Sequence, residues 1–273
     1  MEIKMKNIYY KNLKKVNINF KEGLINGIYG SNGSGKTNIA YLLGLNSVPS
    51  KGHIELDGIT IDDNNPMINY NMLKFEVGFI SQNPLLQMFC ETVQDQMIFT
   101  LNQYGYKNNL KHIKDSLKMV SLSSDYLKRK INTLSSGEIF KLSLAITLSL
   151  NPKIVIMDEP FSFLDNKSQK ELVKLLRILK NRYHKTIIIL SHNMDLLYNV
   201  SDYLFILSDN HIVVEGTKQD IFKQHSKLSN HYIELPKLVK FVDLVKEKKN
   251  IKMGYRDNIN DLLKDVYFYQ QKF

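Results

Sequence analysis

At 273 residues the chain is long enough to bury a substantial core, as one large domain or as a domain with an appendage. Its 43% hydrophobic and 23% charged residues are globular in character, and no apolar run reaches the roughly 18 residues that a membrane-spanning helix needs. A single cysteine, Cys90, excludes an internal disulfide and fits a reducing, cytosolic compartment, and the segment Met1 to Lys6 has no apolar stretch behind its charges, so a secretory leader is not expected. The formal net charge of +10 invites a polyanionic or anionic-membrane partner, but most lysines are scattered singly, as on solvated faces. One excess is local: Thr217 to Phe273 holds twelve Lys/Arg against seven Asp/Glu, a charge suited to a cytoplasmic membrane surface or to a plain solvated helix face.

In chain order, Ile3 to Tyr10 and the alternating Lys15-Val16-Asn17-Ile18-Asn19-Phe20 predict short strands, followed by a turn at Lys21-Glu22-Gly23 and an apolar strand, Leu24 to Tyr29. That strand runs into Gly30-Ser31-Asn32-Gly33-Ser34-Gly35-Lys36-Thr37, and the helix-prone Asn38 to Leu43 follows. Strand, glycine-rich loop and helix form a phosphate cradle. The glycines let successive N–H groups of Asn32, Gly33, Ser34 and Gly35 turn inward, Lys36 supplies a point charge for β/γ-phosphates, and the Thr37 hydroxyl is placed to ligate Mg²⁺. Upstream, an aromatic ring at Tyr9 or Tyr10 either stacks on a nucleobase or packs in the sheet; Tyr10 is the candidate for stacking.

His53 to Ile61 predicts a hairpin closing at Asp57-Gly58. Val77 to Ser81 predicts a short strand, and Pro84 biases Asn83 toward extended backbone, so Gln82 sits at a strand-to-loop junction where a residue can move between two positions. Thr92 to Lys130 reads as mostly helical, an insertion without a flexible linker. Leu134-Ser135-Ser136-Gly137-Glu138 then precedes the apolar helix Leu142 to Leu150; alone, it is ordinary N-cap chemistry.

Ile154-Val155-Ile156-Met157-Asp158-Glu159 is an apolar strand ending in two acids, a costly placement unless cations neutralise them. Nucleotide-bound Mg²⁺ would do so, held by Asp158, with Glu159 polarising the attacking water as general base. Ser162-Phe163-Leu164-Asp165 leads into an amphipathic helix from Lys167 to Arg182, and the buried strand Thr186 to Leu190 ends at Ser191-His192. At the carboxyl end of a strand, where α/β sheets bind ligands, His192 is a candidate γ-phosphate contact. The tail shows helical spacing at Leu238, Phe241, Val242 and Val245, and again at Ile259, Leu262, Leu263, Val266 and Tyr267, with Gly254 between. Two amphipathic helices there would pack on the chain's own body or on a partner.

The ordered set resembles an ATP-binding-cassette (ABC) ATPase over about Met1 to Gly216: phosphate loop, Q-loop Gln82, signature Leu134 to Glu138, Walker B strand through Glu159, D-loop Ser162 to Asp165 and switch His192. The resemblance implies an α/β P-loop NTPase with an antiparallel β-subdomain, a helical subdomain at about 85–150 within a nucleotide-binding domain at 1–216, and a C-terminal helical extension at 217–273. It also implies head-to-tail pairing, with ATP between one chain's phosphate loop and the Ser135, Ser136, Gly137 and Glu138 of the other, and Mg²⁺ held by Thr37, Gln82 and Asp158. Val77 to Gln87 with Thr92-Val93-Gln94-Asp95 is similar, more narrowly, to ATPase subunits of energy-coupling factor (ECF) and cobalt/nickel importers. That likeness implies a peripheral protein on the cytoplasmic face of the cell membrane. Its expected partners are a second ABC ATPase subunit, a transmembrane coupling protein whose helix enters a groove near Gln82 and Asp95, and a substrate-binding membrane protein for a vitamin or transition-metal ion. The C-terminal helices are then expected to add dimer contact.

Departures from the family pattern carry their own expectation. The usual Leu-Ser-Gly-Gly-Gln is altered at Ser136 and Glu138, and Lys141 replaces a common arginine. A Cβ and a negative charge facing a partner's γ-phosphate imply a signature face weaker than the catalytic face, which favours a heterodimer. The competing reading is a cassette ATPase acting on nucleic acid or the ribosome; the chain has neither two cassettes nor a long coiled-coil insertion, so nucleic acid is not an expected partner.

Overall fold

The computed structural model describes residues 1–64, 73–106, 110–223, 234–249, 254 and 259–270. Among these residues the strands form two sheets. The first is antiparallel: β1 (Ile3–Tyr10), β2 (Leu13–Asn19), β4 (Lys51–Leu56) and β5 (Ile59–Ile61), in the order β2-β1-β4-β5. Its β4–β5 hairpin closes at Asp57 and Gly58, both at positive φ (45° and 81°), as the Asp-Gly turn predicts.

The second sheet has the order β10-β9-β3-β8-β7-β6, built from β3 (Ile25–Gly30), β6 (Val77–Ile80), β7 (Ile154–Asp158), β8 (Thr186–Ser191), β9 (Tyr203–Ser208) and β10 (His211–Thr217). Every pairing is parallel except that of the edge strand β10. Central strands of such a sheet are buried on both faces, which explains why β7 and β8 read as continuous apolar runs. Their alternate residues serve different cores. Ile154, Ile156, Ile188 and Leu190 face β1, β2 and helix α1 (Lys36–Leu43), whereas Val155, Met157, Ile187 and Ile189 face the helical layer.

That helical layer contains α2 (Val93–Gln103), α3 (Leu110–Met119) and α4 (Ser136–Ser149), packed through Val93, Met97, Leu101, Ile113, Leu117 and Leu142. The spacing that predicts helices over Thr92 to Lys130 matches α2 and α3, with 3₁₀ turns at Ser124–Lys128 and Ile131–Thr133. Helices α5 (Asn166–Tyr183) and α6 (Met194–Val200) follow β7 and β8, and α7 (Lys218–Lys223) follows the edge strand β10; Asp165 caps α5, accepting from Ser168 N at 2.8 Å.

The C-terminal helices are α8 (Lys237–Lys249) and α9 (Ile259–Gln270). Here the residues buried differ from the spacing. Val239, which the spacing passes over, is fully buried in the main core, so α8 is anchored on the chain's own body. Val242 and Leu262, with Leu238, Val245 and Val266 beside them, form a small separate core between α8 and α9. Phe241, Leu263 and Tyr267, expected on the packed faces, are 43%, 46% and 65% exposed. Apolar residues occur on several sides of each helix, and spacing alone does not decide which side the body covers. The side chain of Ile259, and the turn between the helices apart from Gly254, lie outside the described residues.

Candidate active site

Strand register brings the site together. Tyr29 of β3 pairs with Ser191 of β8, and Leu190 of β8 pairs with Asp158 of β7, so the carboxyl ends of three adjacent strands finish side by side. Such ends, beside a sheet's strand-order reversal, are where α/β folds hold ligands.

From β3 the chain enters the loop. Gly33 and Gly35 lie at φ 80° and 103°, a region other residues reach only with strain, and a Cβ on Gly35 would come within 2.5 Å of Leu13 Cδ2. Lys36 is buried; its Nζ donates to Gly30 O (2.8 Å) and Ser31 O (3.0 Å) and lies 3.7 Å from Glu159 Oε1. Burial lowers the Lys36 pKa, and the Glu159 and Asp158 charges oppose that shift.

Asp158, 2% exposed, has its pKa raised to about 6, chiefly by burial and further by the Glu159 charge, with a hydrogen bond from Thr37 and the Lys36 charge opposing. Its Oδ1 is buried without a hydrogen-bond partner, as is Ser34 Oγ. An orphaned carboxylate oxygen beside a threonine hydroxyl is what a hard divalent cation fits.

Glu159 sits at φ 52° with its N–H bonded to Leu190 O (2.8 Å), so β7 bends sharply onto the end of β8. The carboxylate is held on both oxygens. Oε2 accepts from the Ser191 hydroxyl (2.8 Å), while Oε1 accepts from His192 N (2.8 Å) and lies 2.8 Å from His192 Nδ1. A carboxylate oxygen only accepts, so Nδ1 carries a proton here, and Nε2 lies on the other side of a half-exposed ring.

A polar cleft of about 550 Å³ runs over this constellation, lined by Asn32, Gly33, Gly35, Lys36, Thr37, Gln82 and Glu159. Lys11, Asn12 and Asn38 also line it and were not singled out in the sequence. Lys11 and Asn12 fall between the first two predicted strands, where nothing in the sequence marks them. Tyr10 is not among the lining residues; it is half-buried, its hydroxyl 3.0 Å from Ser47 Oγ and the Lys11 ammonium 5.3 Å from its ring centre.

The Ser135, Ser136, Gly137 and Glu138 segment lies away from that cleft, at the start of α4. Ser135 and Glu138 form a reciprocal capping box, Ser135 N donating to Glu138 Oε2 (2.7 Å) and Glu138 N to Ser135 Oγ (3.3 Å). Glu138 Oε1 accepts from Tyr126 OH (2.5 Å) and Arg129 Nη1 (3.1 Å), and these contacts hold its pKa down to about 2. The negative charge expected to face a partner's nucleotide is therefore turned inward and paired. Tyr126 and Arg129 have no signal in the sequence pattern.

A second groove of about 250 Å³ lies between β6 and α2, lined by Phe79, Gln87, Met88, Phe89, Phe99 and Tyr104 among others. Neither Gln82 nor Asp95 lines it. Gln82 belongs to the polar cleft, and Asp95 is bonded to the Thr92 hydroxyl (2.6 Å) at the start of α2.

Residues 13–162 match the family model described as ABC transporter. The chain belongs to the ABC transporter family of ATPases. It is 32% identical over 264 residues to the energy-coupling factor transporter ATP-binding protein EcfA of Methanococcus maripaludis, covering 92% of each chain. It is 29% identical over 231 residues to EcfA2 of Ligilactobacillus salivarius, covering 84% of this chain and 80% of that one. Among solved structures, the dimeric ATP-binding cassette MJ0796 bound to ADP and Pi is 26% identical with a TM-score of 0.68, covering 79% of this chain and 98% of that one. The fold is shared also with cbiO1 from Clostridium perfringens, part of the transporter complex cbiONQ (24% identity, TM-score 0.71, covering 88% and 98%). This chain is therefore an ATP-binding, ATP-hydrolysing cassette of the ABC type, similar to ECF transporter ATPases. Among its described residues no helix is long and apolar enough to cross a membrane.

Proposed function

We propose that this chain is the ATP-hydrolysing subunit of an ECF-type importer, docked on the cytoplasmic face of the membrane and paired head to tail with a second ATPase subunit. The observation that carries the catalytic assignment is the convergence of Lys36, Asp158, Glu159 and His192 at the ends of β3, β7 and β8. Lys36 is poised to exchange its loop carbonyls for β/γ-phosphate oxygens. Thr37, Asp158 and Gln82 supply hard oxygen donors fit for Mg²⁺, and the substrate's phosphates would complete its coordination. Bound there, Mg²⁺ would neutralise charge on the β/γ-phosphates. Glu159 Oε2, which accepts a hydrogen bond from the Ser191 hydroxyl, keeps a lone pair for an attacking water, and the half-exposed His192 ring would contact the γ-phosphate through Nε2. Tyr10 is the proposed adenine contact.

The partner's nucleotide would meet Ser135, Ser136 and Gly137. With Glu138 paired internally, the argument for a heterodimer rests on Ser136 alone. The groove between β6 and α2, lined in part by Phe89 (75% exposed) and flanked in sequence by Leu86 (74% exposed), suits an apolar coupling helix of a transmembrane protein. A vitamin or transition-metal ion would then be chosen by a separate membrane protein. Affinity purification of the chain from gently solubilised membranes tests the assembly. A second cassette ATPase with multispanning proteins supports it, and ribosomes or nucleic acid without membrane protein would refute it.

A further inference from the structure

Lys11 stands on the wall of the nucleotide cleft, in the β1–β2 turn, at a left-handed backbone position (φ 49°). It is exposed, and among the described residues it makes no ion pair; its ammonium lies 5.3 Å from the centre of the Tyr10 ring. The other lysine of the cleft, Lys36, is already held by two loop carbonyls and faces Glu159. With Asp158 and Glu159 at the same end, the buried part of the site supplies little net positive charge for a polyanionic ligand.

The turn carrying Lys11 is fastened to the phosphate loop by its neighbour. Asn12 Nδ2 donates to Gly33 O (3.2 Å) and to Asn210 Oδ1 (2.7 Å), and Asn12 Oδ1 accepts from Asn38 Nδ2 (2.6 Å). Lys14 N adds a bond to Asn210 O (3.2 Å), and Leu13 packs so closely on Gly35 that no side chain fits between them. The hairpin turn is thus a fixed lip of the cleft.

We propose that Lys11 is a further nucleotide-binding residue that grips the α-phosphate, with Asn12 as its positioning residue. This rests on the reading of the cleft as the nucleotide site. Lys36 lies deep, where β/γ-phosphates belong; Lys11 lies on the exposed lip of the cleft, with its ammonium beside the ring of the proposed adenine contact Tyr10. A base that stacks on Tyr10 displaces the ammonium from that ring, and the α-phosphate beside it is the anion the ammonium then meets.

The test is calorimetric titration of the full chain with ATP and with ADP, at low and at high salt. Lys11→Ala is expected to weaken both nucleotides by the same factor, about fivefold for a partly exposed ion pair. The loss should shrink in high salt, and Lys11→Arg should restore affinity. Asn12→Ala should weaken binding, and the double variant should bind no more weakly than Lys11→Ala with respect to the salt-dependent part. An unchanged affinity, a loss that ignores salt, or a loss for ATP without one for ADP would each overturn the proposal, the last because it would place the contact on the γ-phosphate. Failure of the cleft reading looks different: Lys36→Ala would then bind ATP as well as the parent.

Discussion

Replacing Glu138 by glutamine isolates the charge at the head of α4, because glutamine still serves at the third position of a capping box. The native carboxylate accepts from Tyr126 OH, Arg129 Nη1 and Ser135 N, and its pKa lies at about 2 against an ordinary 4.5. Each pKa unit corresponds to about 1.4 kcal/mol, which would put the upper bound near 3.4 kcal/mol. A quarter of the side chain is exposed, and solvent screening reduces that to about 1–2 kcal/mol. A folded-state pKa below the unfolded value means that this stabilisation is fully present above about pH 4.5 and disappears as pH falls toward 2. Urea unfolding of parent and Glu138→Gln at pH 7 should differ by about 1–2 kcal/mol, with Tm lowered by about 2–8 °C. The gap should narrow steadily below pH 4.5. A difference under about 0.5 kcal/mol, or one that does not change with pH, would show that the carboxylate is not paired as described and would return a repulsive charge to the signature face.

The other expectations are briefer. Lys36→Ala removes the cation from the loop, and ATP affinity measured by titration should fall more than about tenfold while the fold, read by circular dichroism, persists. Gly35→Ala forces a Cβ onto Leu13 at φ 103°, so both ATP affinity and thermal stability should drop, the latter by about 1–3 kcal/mol. Asp195 accepts from Lys237 N (2.7 Å) at the start of α8, and Asp195→Ala should loosen the C-terminal helices by about 1 kcal/mol, seen as faster amide exchange in α8 with exchange in β3 and β8 unchanged.

The cassette was legible because its chemistry is local in sequence. The loop from Gly30 to Thr37 carries its own strand, turn and helix signals, and the acids ending β7 follow an apolar run that only a doubly buried strand explains. What stayed hidden depends on contacts between distant segments. Lys11 and Asn12 matter because Asn12 reaches Gly33, Asn38 and Asn210, and nothing in a Lys-Asn turn announces those partners. The inward pairing of the Glu138 charge is hidden in the sequence because Arg129 lies nine residues upstream, across the Ile131–Thr133 3₁₀ turn, whose path no periodicity describes. In the tail, helix existence followed from spacing, but the buried side did not. Val239 is chosen over Phe241 by the body that α8 packs against.

Glu159 shows how the proposed chemistry and the fold share one side chain, and how they separate. Its carboxylate joins the Ser191 hydroxyl, the His192 backbone and the His192 ring, so it locks the turn after β8 as well as facing the cleft. Glutamine has the same shape. Its amide oxygen can stay on His192 N and Nδ1, and its NH₂ can donate to the Ser191 oxygen, so the grip survives while the basic oxygen is lost. Alanine removes every acceptor and leaves three donors unpaired, at a cost of about 2–4 kcal/mol. Glu159→Gln should therefore unfold within about 1 kcal/mol of the parent, bind ATP with parental affinity, and lose hydrolysis by about 10²-fold or more. Glu159→Ala should lose both activity and stability. If Glu159→Gln kept hydrolysis within about tenfold of the parent in the intact assembly, Glu159 would be a structural clamp, and the base would have to be sought elsewhere in the cleft.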